Sequence, residues 1–304
     1  MENTAQRGPQ AAREEVSVLI PTIGREKLLR ACLDSIAACR PAPAEVVVVD
    51  QSGDDRIAEL VSGYRELGAR VVRSQGRGVA NGRNVGLHAV AHDAVLMTDD
   101  DCTVAPDWVE VGARLLAEDP RLIVSGRVLP GRDDAEGVPS TISDTERKDY
   151  TGTLQCGVLY TNNVALNRSE VLRAGAFDES FERASDNDLC YRWLTSGRRL
   201  VYDPALLVWH HDWRSPKQLR RLYVRYWRGE GALYAKHLRA GDARMLRLAR
   251  RDVYWRLRGP LGRPGGRRQA VLELRGIVRG LPVGFARRLL GRTSTSMRSG
   301  ADRG

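Results

Sequence analysis

"EVSVLIPTIGREKLLRACLDSIAACRPAPAEVVVVD", Glu15 to Asp50, decides the fold. It opens on a short, β-branched apolar run stopped by Pro21, the pattern of a strand buried on both faces. "GREKLLRACLDSIAAC" follows with Leu28, Leu29, Cys32, Leu33 and Ile36 on one helical face. "EVVVVD" is a second buried strand. The beat then repeats. "RIAELVSGYRELG" reads as a helix, "ARVVRS" as a third strand, "GVANGRNVGLHAVAHD" as a Gly-punctuated loop entering a helix, and "AVLMTDDD" as a strand. Alternation at this spacing specifies an α/β chain with a doubly wound, mostly parallel, Rossmann-like sheet and helices on both faces. Ligands of such sheets bind beyond the carboxyl ends of the strands.

Asp50 ends one strand and Asp99, Asp100 and Asp101 end another, so all four carboxylates are expected on that edge. Two readings fit the triple acid. One is a solvated turn leading into a helix that starts at "APDW", Ala105 to Trp108. The other is a meeting point for a nucleotide and its metal. A solvated turn gives no reason for the strand-end placement to recur, which favours the second.

With 304 residues and 42% hydrophobic content, the chain has room for one large domain and an appendage. No apolar run reaches the roughly 18 residues of a membrane span, and "MENTAQRGPQAAREE" has no signal-peptide core. The expected location is therefore cytoplasmic, with peripheral attachment to the inner face of the membrane as an option. Cys32, Cys39, Cys102, Cys156 and Cys190 are odd in number and never spaced C-x-x-C, so neither a disulfide framework nor a zinc site is expected.

The net charge of +10 hides an asymmetry. The first 210 residues hold 24 Lys and Arg against 32 Asp and Glu, and the remainder holds 24 against 6. An acidic body thus carries a basic tail, suited to anionic lipid, nucleic acid or a phosphorylated substrate. In "LRRLYVRYW" and "GFARRLL" the arginines alternate with apolar residues, as in amphipathic helices. A surface helix packed on its own domain explains the first of these equally well.

Beyond about residue 125 the rhythm changes. "PGRDDAEGVPSTISDTERKDYTGTLQ" is polar and turn-rich, as expected of a loop over a site. In "SDNDLCYRWLTSG" a helix is expected to start near Asp186, with Leu189, Cys190, Trp193 and Leu194 on its apolar face. Ser185 and Asp188 suit a capping box there, which does not exclude chemistry at Asp186.

"VSVLIPT", "VVVVDQSGD", "GRNVGL", "LMTDDD", "TNNVALNRS", "AGAFDESF", "SDNDLCYRW" and "VWHH" occur in an order that resembles the family 2 glycosyltransferases, the inverting group with the GT-A fold. The likeness runs from Val16 to His211. It implies that Pro21 and Thr22 begin the nucleotide cradle, that Asp50 receives a base N–H, and that Arg83 lies near the base or diphosphate. Asp99 to Asp101 match the D-x-D signature: Asp99 or Asp100 would hold the ribose, and Asp101, with Asp99, would bind Mn2+ or Mg2+. Asn163 and the segment Phe177 to Glu179 match stretches that shape the sugar and acceptor pockets, and Asp186 matches the catalytic base. His210 matches a histidine near the metal, although a lone His is as often a core-edge residue; His211 is the spare. Two departures stand out. Ser185 replaces an acid that often precedes the base, and Gln51 replaces another, for which Asp54 or Asp55 could compensate.

The resemblance implies a disordered tail over 1–14 and a GT-A domain over 15–212. That domain divides into a nucleotide-binding half (15–125) and an acceptor and catalytic half (126–212). A basic, mainly helical extension with a flexible end would occupy 213–304. The implied partners are a nucleotide-sugar donor and an acceptor glycan, glycolipid or small-molecule hydroxyl. An anionic membrane surface could meet the extension, and nucleic acid is not expected. Chemistry asks for the same set. A departing diphosphate needs a cationic sink, Mg2+ usually takes one or two carboxylates plus substrate phosphates, and an attacking hydroxyl needs one base. Two alternatives remain: a nucleotidyl- or phosphotransferase, against which stands the lack of any G-x-x-x-x-G-K-[ST] run, and a nucleic-acid-binding protein driven by the tail.

Overall fold

The computed structural model describes residues 16–131, 139–151, 158–211, 214–238, 243–258 and 266–298. The 1–14 tail, Cys156, much of the polar 130–155 stretch and the last residues of the basic extension lie outside them.

The first half alternates as its apolar runs require: β1 (Val16–Thr22), α1 (Glu26–Ala37), β2 (Glu45–Asp50), α2 (Arg56–Val61), β3 (Ala69–Arg73), α3 (Val79–Ala89) and β4 (Ala94–Thr98). These strands pair in parallel in the order β3-β2-β1-β4, which puts β1 at the centre with every residue buried. Period-two alternation sends Val16, Val18 and Ile20 of β1 to one face and Leu19 to the other. A small residue lets a helix approach closely. A Cβ added to Gly86 of α3 would fall 2.0 Å from Leu19 Cδ1, so that helix sits directly on the Leu19 side chain.

The second half comprises β5 (Cys102–Val104), α4 (Trp108–Glu118), β6 (Leu122–Pro130), β7 (Lys148–Thr151), β8 (Asn163–Asn167), α5 (Arg168–Arg173), α6 (Ser185–Thr195) and β9 (Arg199–His210). The first core receives α1, α2 and α4, through residues such as Leu29, Ile57 and Trp108. The opposite core receives α3, α5 and α6 through Leu87, Val171 and Trp193. Helices therefore cover both faces of one sheet ordered β3-β2-β1-β4-β8-β6-β9-β5, with β7 on β9.

The sheet is mostly parallel, as expected, and its antiparallel members all lie in this second half. Strand β8 runs antiparallel to both β4 and β6, and β5 and β7 run antiparallel to β9, whereas β6 and β9 pair in parallel. The chain reverses at the turn Asp99–Asp101, and the three-residue β5 that follows lies against β9 and not against β4. By this reversal β5 pairs Cys102 with His210 at the end of β9.

A second compact unit comprises Asp178–Asp188 and Arg214–Gly304. It contains α7 (Pro216–His237), α8 (Ala243–Arg258) and α9 (Gly266–Arg298). Ser215 caps α7 in a capping box with Gln218, followed by Pro216 at the first helical position. Gly276, Gly280 and Gly284 form a stripe at i, i+4 spacing on α9; a Cβ on Gly280 would meet Arg228 O of α7 at 2.1 Å. The two helices touch backbone to backbone.

Candidate functional site

β4 ends at Thr98, and Asp99 to Asp101 make the tight turn into β5, closed by Cys102 N donating to Asp99 O at 3.1 Å. The turn is not solvated. Asp100 and Asp101 are both almost fully buried, and only Asp99 keeps part of its side chain in water. Buried carboxylates require partners. Thr22 Oγ1, at the end of β1, donates to Asp100 Oδ2 at 2.5 Å. Arg25 Nε donates to the same oxygen at 3.1 Å, its Nη2 bonds Asp100 Oδ1, and its Nη1 lies 3.1 Å from Asp101 Oδ2. Burial pushes Asp100 up to about 6 even so, against the opposing pull of Arg25. Burial acts to lower the pKa of Arg25, but its bond to Asp100 and the three acids outweigh this and raise it.

His210 comes to the same place from β9. Its Nε2 is 3.5 Å from Asp101 Oδ1 and its Nδ1 2.9 Å from Pro139 O. Burial opposes the imidazolium, but Asp101 and Asp99 prevail and raise its pKa. His211 donates its backbone N–H to Asp101 O at 2.8 Å and bonds Thr103 through its ring, at 2.9 Å; burial lowers its pKa. Burial first, then the field of the acids, drives Cys32 and Cys102 well above the ordinary thiol range, so neither offers a thiolate.

Asp50, at the end of β2, and Arg83, in α3, each have one polar atom unmatched among the described residues. Asp50 is 2% exposed; its Oδ1 accepts from Ser52 N at 2.8 Å, while its buried Oδ2 has no hydrogen-bond partner among the described residues. Arg83 is 4% exposed, reaches Asp99 Oδ1 at 3.3 Å and lies 5.6 Å from the Phe177 ring centroid, but its Nε is unmatched. A buried polar atom left unmatched calls for a water, an ion or a ligand. Asn84, next to Arg83, bonds both backbone groups of Phe177, at 3.0 and 2.8 Å, so "GRN" ties the acids to the Phe177 segment.

Pro21, Thr22, Asp50, Arg83, Asp99, Asp100, Asp101 and His210 thus all stand at strand ends or on the helix turn beside them. Other expectations change. Asn163 accepts from Trp108 Nε1 and donates to Arg127 O and Leu206 O, a buried bracing role that occupies its whole amide. Asp54 and Asp55 are exposed and paired with Arg56 and Arg73, so neither stands in for the acid that Gln51 replaces. Gln51 instead clamps the loop before α3, with Nε2 2.9 Å from Gly76 O. Arg25 is the group that reading the sequence missed. Its signal was a lone cation in "TIGRE", immediately after a strand whose neighbour ends in acids.

Asp186 belongs to the second unit, in the first turn of α6, partly buried, with Oδ1 accepting from Asn187 N at 2.9 Å. The turn before it is strained: Ala184 adopts φ 69°, which a non-glycine residue holds only under constraint. The constraint comes from α7. Asp188, fully buried, accepts from Lys236 Nζ and His237 Nε2, both at 2.7 Å, and Lys236 also holds Asp178 at 2.7 Å. Burial acts to raise Asp178, but Lys236 and Ser180 outweigh it and hold the carboxyl below its usual range. The segment Asp178–Asp188, which the sequence reading assigned to the acceptor half, is therefore braced by the extension.

Among the described residues no three His, Cys, Asp or Glu side chains converge as a ready metal cage. Hard oxygen donors with one imidazole nonetheless fit Mn2+ or Mg2+, provided substrate phosphates complete the shell.

Residues 17–179, more than half of the chain, match the family model Glycosyl transferase family 2. The chain is 28% identical over 219 residues to the pre-mycofactocin glycosyltransferase of Mycobacterium tuberculosis, covering 69% of this chain and 44% of that one. It is 23% identical to the glucosyl-dolichyl phosphate glucuronosyltransferase of Haloferax volcanii, covering 71% and 75%. The chain thus spans less than half the length of the mycobacterial relative. Among solved structures, the mannosyltransferase PcManGT of Pyrobaculum calidifontis, in complex with GDP-Man and Mn2+, superposes with a TM-score of 0.60 at 22% identity, covering 93% of this chain and 80% of that one. S. aureus TarS 1-349 in complex with UDP gives 0.56 at 19%, covering 92% of each. The mixed, mostly parallel sheet with its helical C-terminal region is thus the GT-A fold, and the chain belongs to glycosyl transferase family 2.

Proposed function

We propose that the protein transfers a sugar from a nucleoside-diphosphate sugar to an acceptor hydroxyl by a metal-assisted single displacement that inverts the anomeric carbon. The observation that carries this is the buried pair Asp100 and Asp101 at the end of β4, met by Thr22, Arg25 and His210 and flanked by the orphaned oxygen of Asp50. A neighbour in complex with GDP-Man and Mn2+ supports the donor class and the metal.

Asp101, Asp99 and His210 would hold Mn2+ or Mg2+. Bound there, the ion would supply the electrostatic sink for the departing diphosphate. Pro21 and Thr22 line the strand end against which the nucleotide rests, Asp50 Oδ2 accepts a base N–H, and Asp99 holds the ribose, because Asp100 is buried with both oxygens taken by Thr22 and Arg25. Arg83, anchored on Asp99, directs its unmatched Nε to the donor. Asp186 takes the acceptor's proton as its oxygen attacks. One base suffices, since a double displacement would need a second carboxylate as nucleophile. Residues 15–212 form the catalytic domain in this reading, with 213–304 as its basic extension. A panel of UDP-, dTDP- and GDP-sugars with Mn2+, scored by thermal shift and release of nucleoside diphosphate, tests it. At least one donor should raise the melting temperature only with metal; no response to any would overturn the proposal.

The acceptor side points to an anionic surface, and a relative named for glucosyl-dolichyl phosphate supports a lipid-phosphate acceptor. Arg244, Arg247, Arg250 and Arg251 of α8 are exposed, with Leu246 and Tyr254 exposed beside them, the composition of an interfacial helix. Among the described residues no helix is long and apolar enough to cross a membrane. The chain should float with phosphatidylglycerol vesicles, and combined Arg247→Glu and Arg250→Glu should abolish this, at roughly 1 kcal/mol lost per removed cation. Equal flotation of the variant, or equal binding to phosphatidylcholine, would refute recognition of an anionic surface by these arginines.

A further inference from the structure

Arg25 has a place in this site that nothing so far explains. Its guanidinium sits on two buried carboxylates at once, fully engaging Asp100 through Nε and Nη2 and reaching Asp101 Oδ2 through Nη1. The other oxygen of Asp101 faces His210 at 3.5 Å. Before any metal arrives, one oxygen of the metal-binding carboxylate is already paired with Arg25, and the other faces an imidazole nitrogen. A divalent ion on Asp101 must then displace Arg25 Nη1 or lie against it, and like charges at that separation repel strongly.

We propose that Arg25 is the internal counter-cation of the donor-free enzyme, and that it couples metal capture to the arrival of the donor diphosphate. The inference rests on the function proposed above. Asp100 needs a permanent partner, because a buried carboxylate stripped of its cation is destabilising. The planar fork of arginine supplies one with Nε and Nη2, and keeps Nη1 as a separate arm. A diphosphate offers that arm new anionic oxygens, so Nη1 leaves Asp101 for phosphate and Asp101 Oδ2 passes to the metal. Metal alone lacks this exchange. By linkage, donor and metal each raise the other's affinity by the same factor. Arg25 is a positioning residue in this scheme; the Thr22 bond to Asp100 holds the acid in place during the exchange.

Electron paramagnetic resonance of Mn2+ titrated into the full-length chain, with and without UDP or GDP and corrected for Mn2+ held by the nucleotide itself, tests the proposal. Wild-type protein should bind Mn2+ weakly alone and at least about tenfold more tightly with nucleotide. Arg25→Gln should tighten nucleotide-free Mn2+ binding by about tenfold and shrink the coupling by the same factor. Arg25→Lys should keep the weak nucleotide-free binding, which a purely structural role would not require. Tight Mn2+ binding by nucleotide-free wild type overturns the proposal without any variant. If Mn2+ binds with nucleotide but folded Arg25→Gln keeps the wild-type affinity alone, only this inference falls. If neither nucleotide brings Mn2+ to the wild type, the functional reading falls with it.

Discussion

Asp101→Asn should abolish metal-dependent donor binding while leaving the fold intact. The asparagine preserves the shape of a side chain that is 3% exposed and still accepts from its neighbours through one oxygen. Arg25 keeps its bonds to Asp100, so no buried charge is stripped. What disappears is the anionic ligand. Loss of a metal's charge stabilisation amounts to several kcal/mol, or roughly three powers of ten in turnover. Calorimetric titration of the best donor from the panel, with and without Mn2+, should show metal-dependent binding in the wild type and none in the variant. Metal-dependent binding retained by Asp101→Asn would place the ion elsewhere.

The second large effect belongs to Asp186. Asp186→Asn should leave donor affinity unchanged and lower transfer by a factor on the order of 10² to 10⁴, the contribution of a positioned general base. Single-turnover transfer with donor saturating separates this from a binding defect. Normal turnover in the variant would remove the base assignment.

Reading the sequence recovered the half of the fold where local pattern and tertiary placement agree. Strands β1, β2 and β4 are buried on both faces, so their apolar runs announce them, and the acids at their ends follow from chain direction alone. Strand β5 is three residues long, and β8 is "NVALN"; neither carries any sign of the direction it runs, which its neighbours decide. Of the site, the carboxylates and the histidine were legible because their residue types are unusual at strand ends. Arg25 was not, since an arginine near a helix start reads as surface until the fold brings it onto Asp100, 75 positions away. Asp188 was legible only in part. Its spacing suited a cap, while its carboxylate is claimed by Lys236 and His237, some 50 positions along the chain.

The functional account depends on one arrangement: a cation shared between Asp101 and the donor's diphosphate. Anomalous scattering from a crystal grown with Mn2+ and the preferred nucleoside diphosphate tests it most directly. The account expects a peak about 2.1 Å from an Asp101 oxygen, with diphosphate oxygens in the same shell. A peak away from Asp101, or a diphosphate bound off the carboxyl edge of β1 and β4, would contradict it.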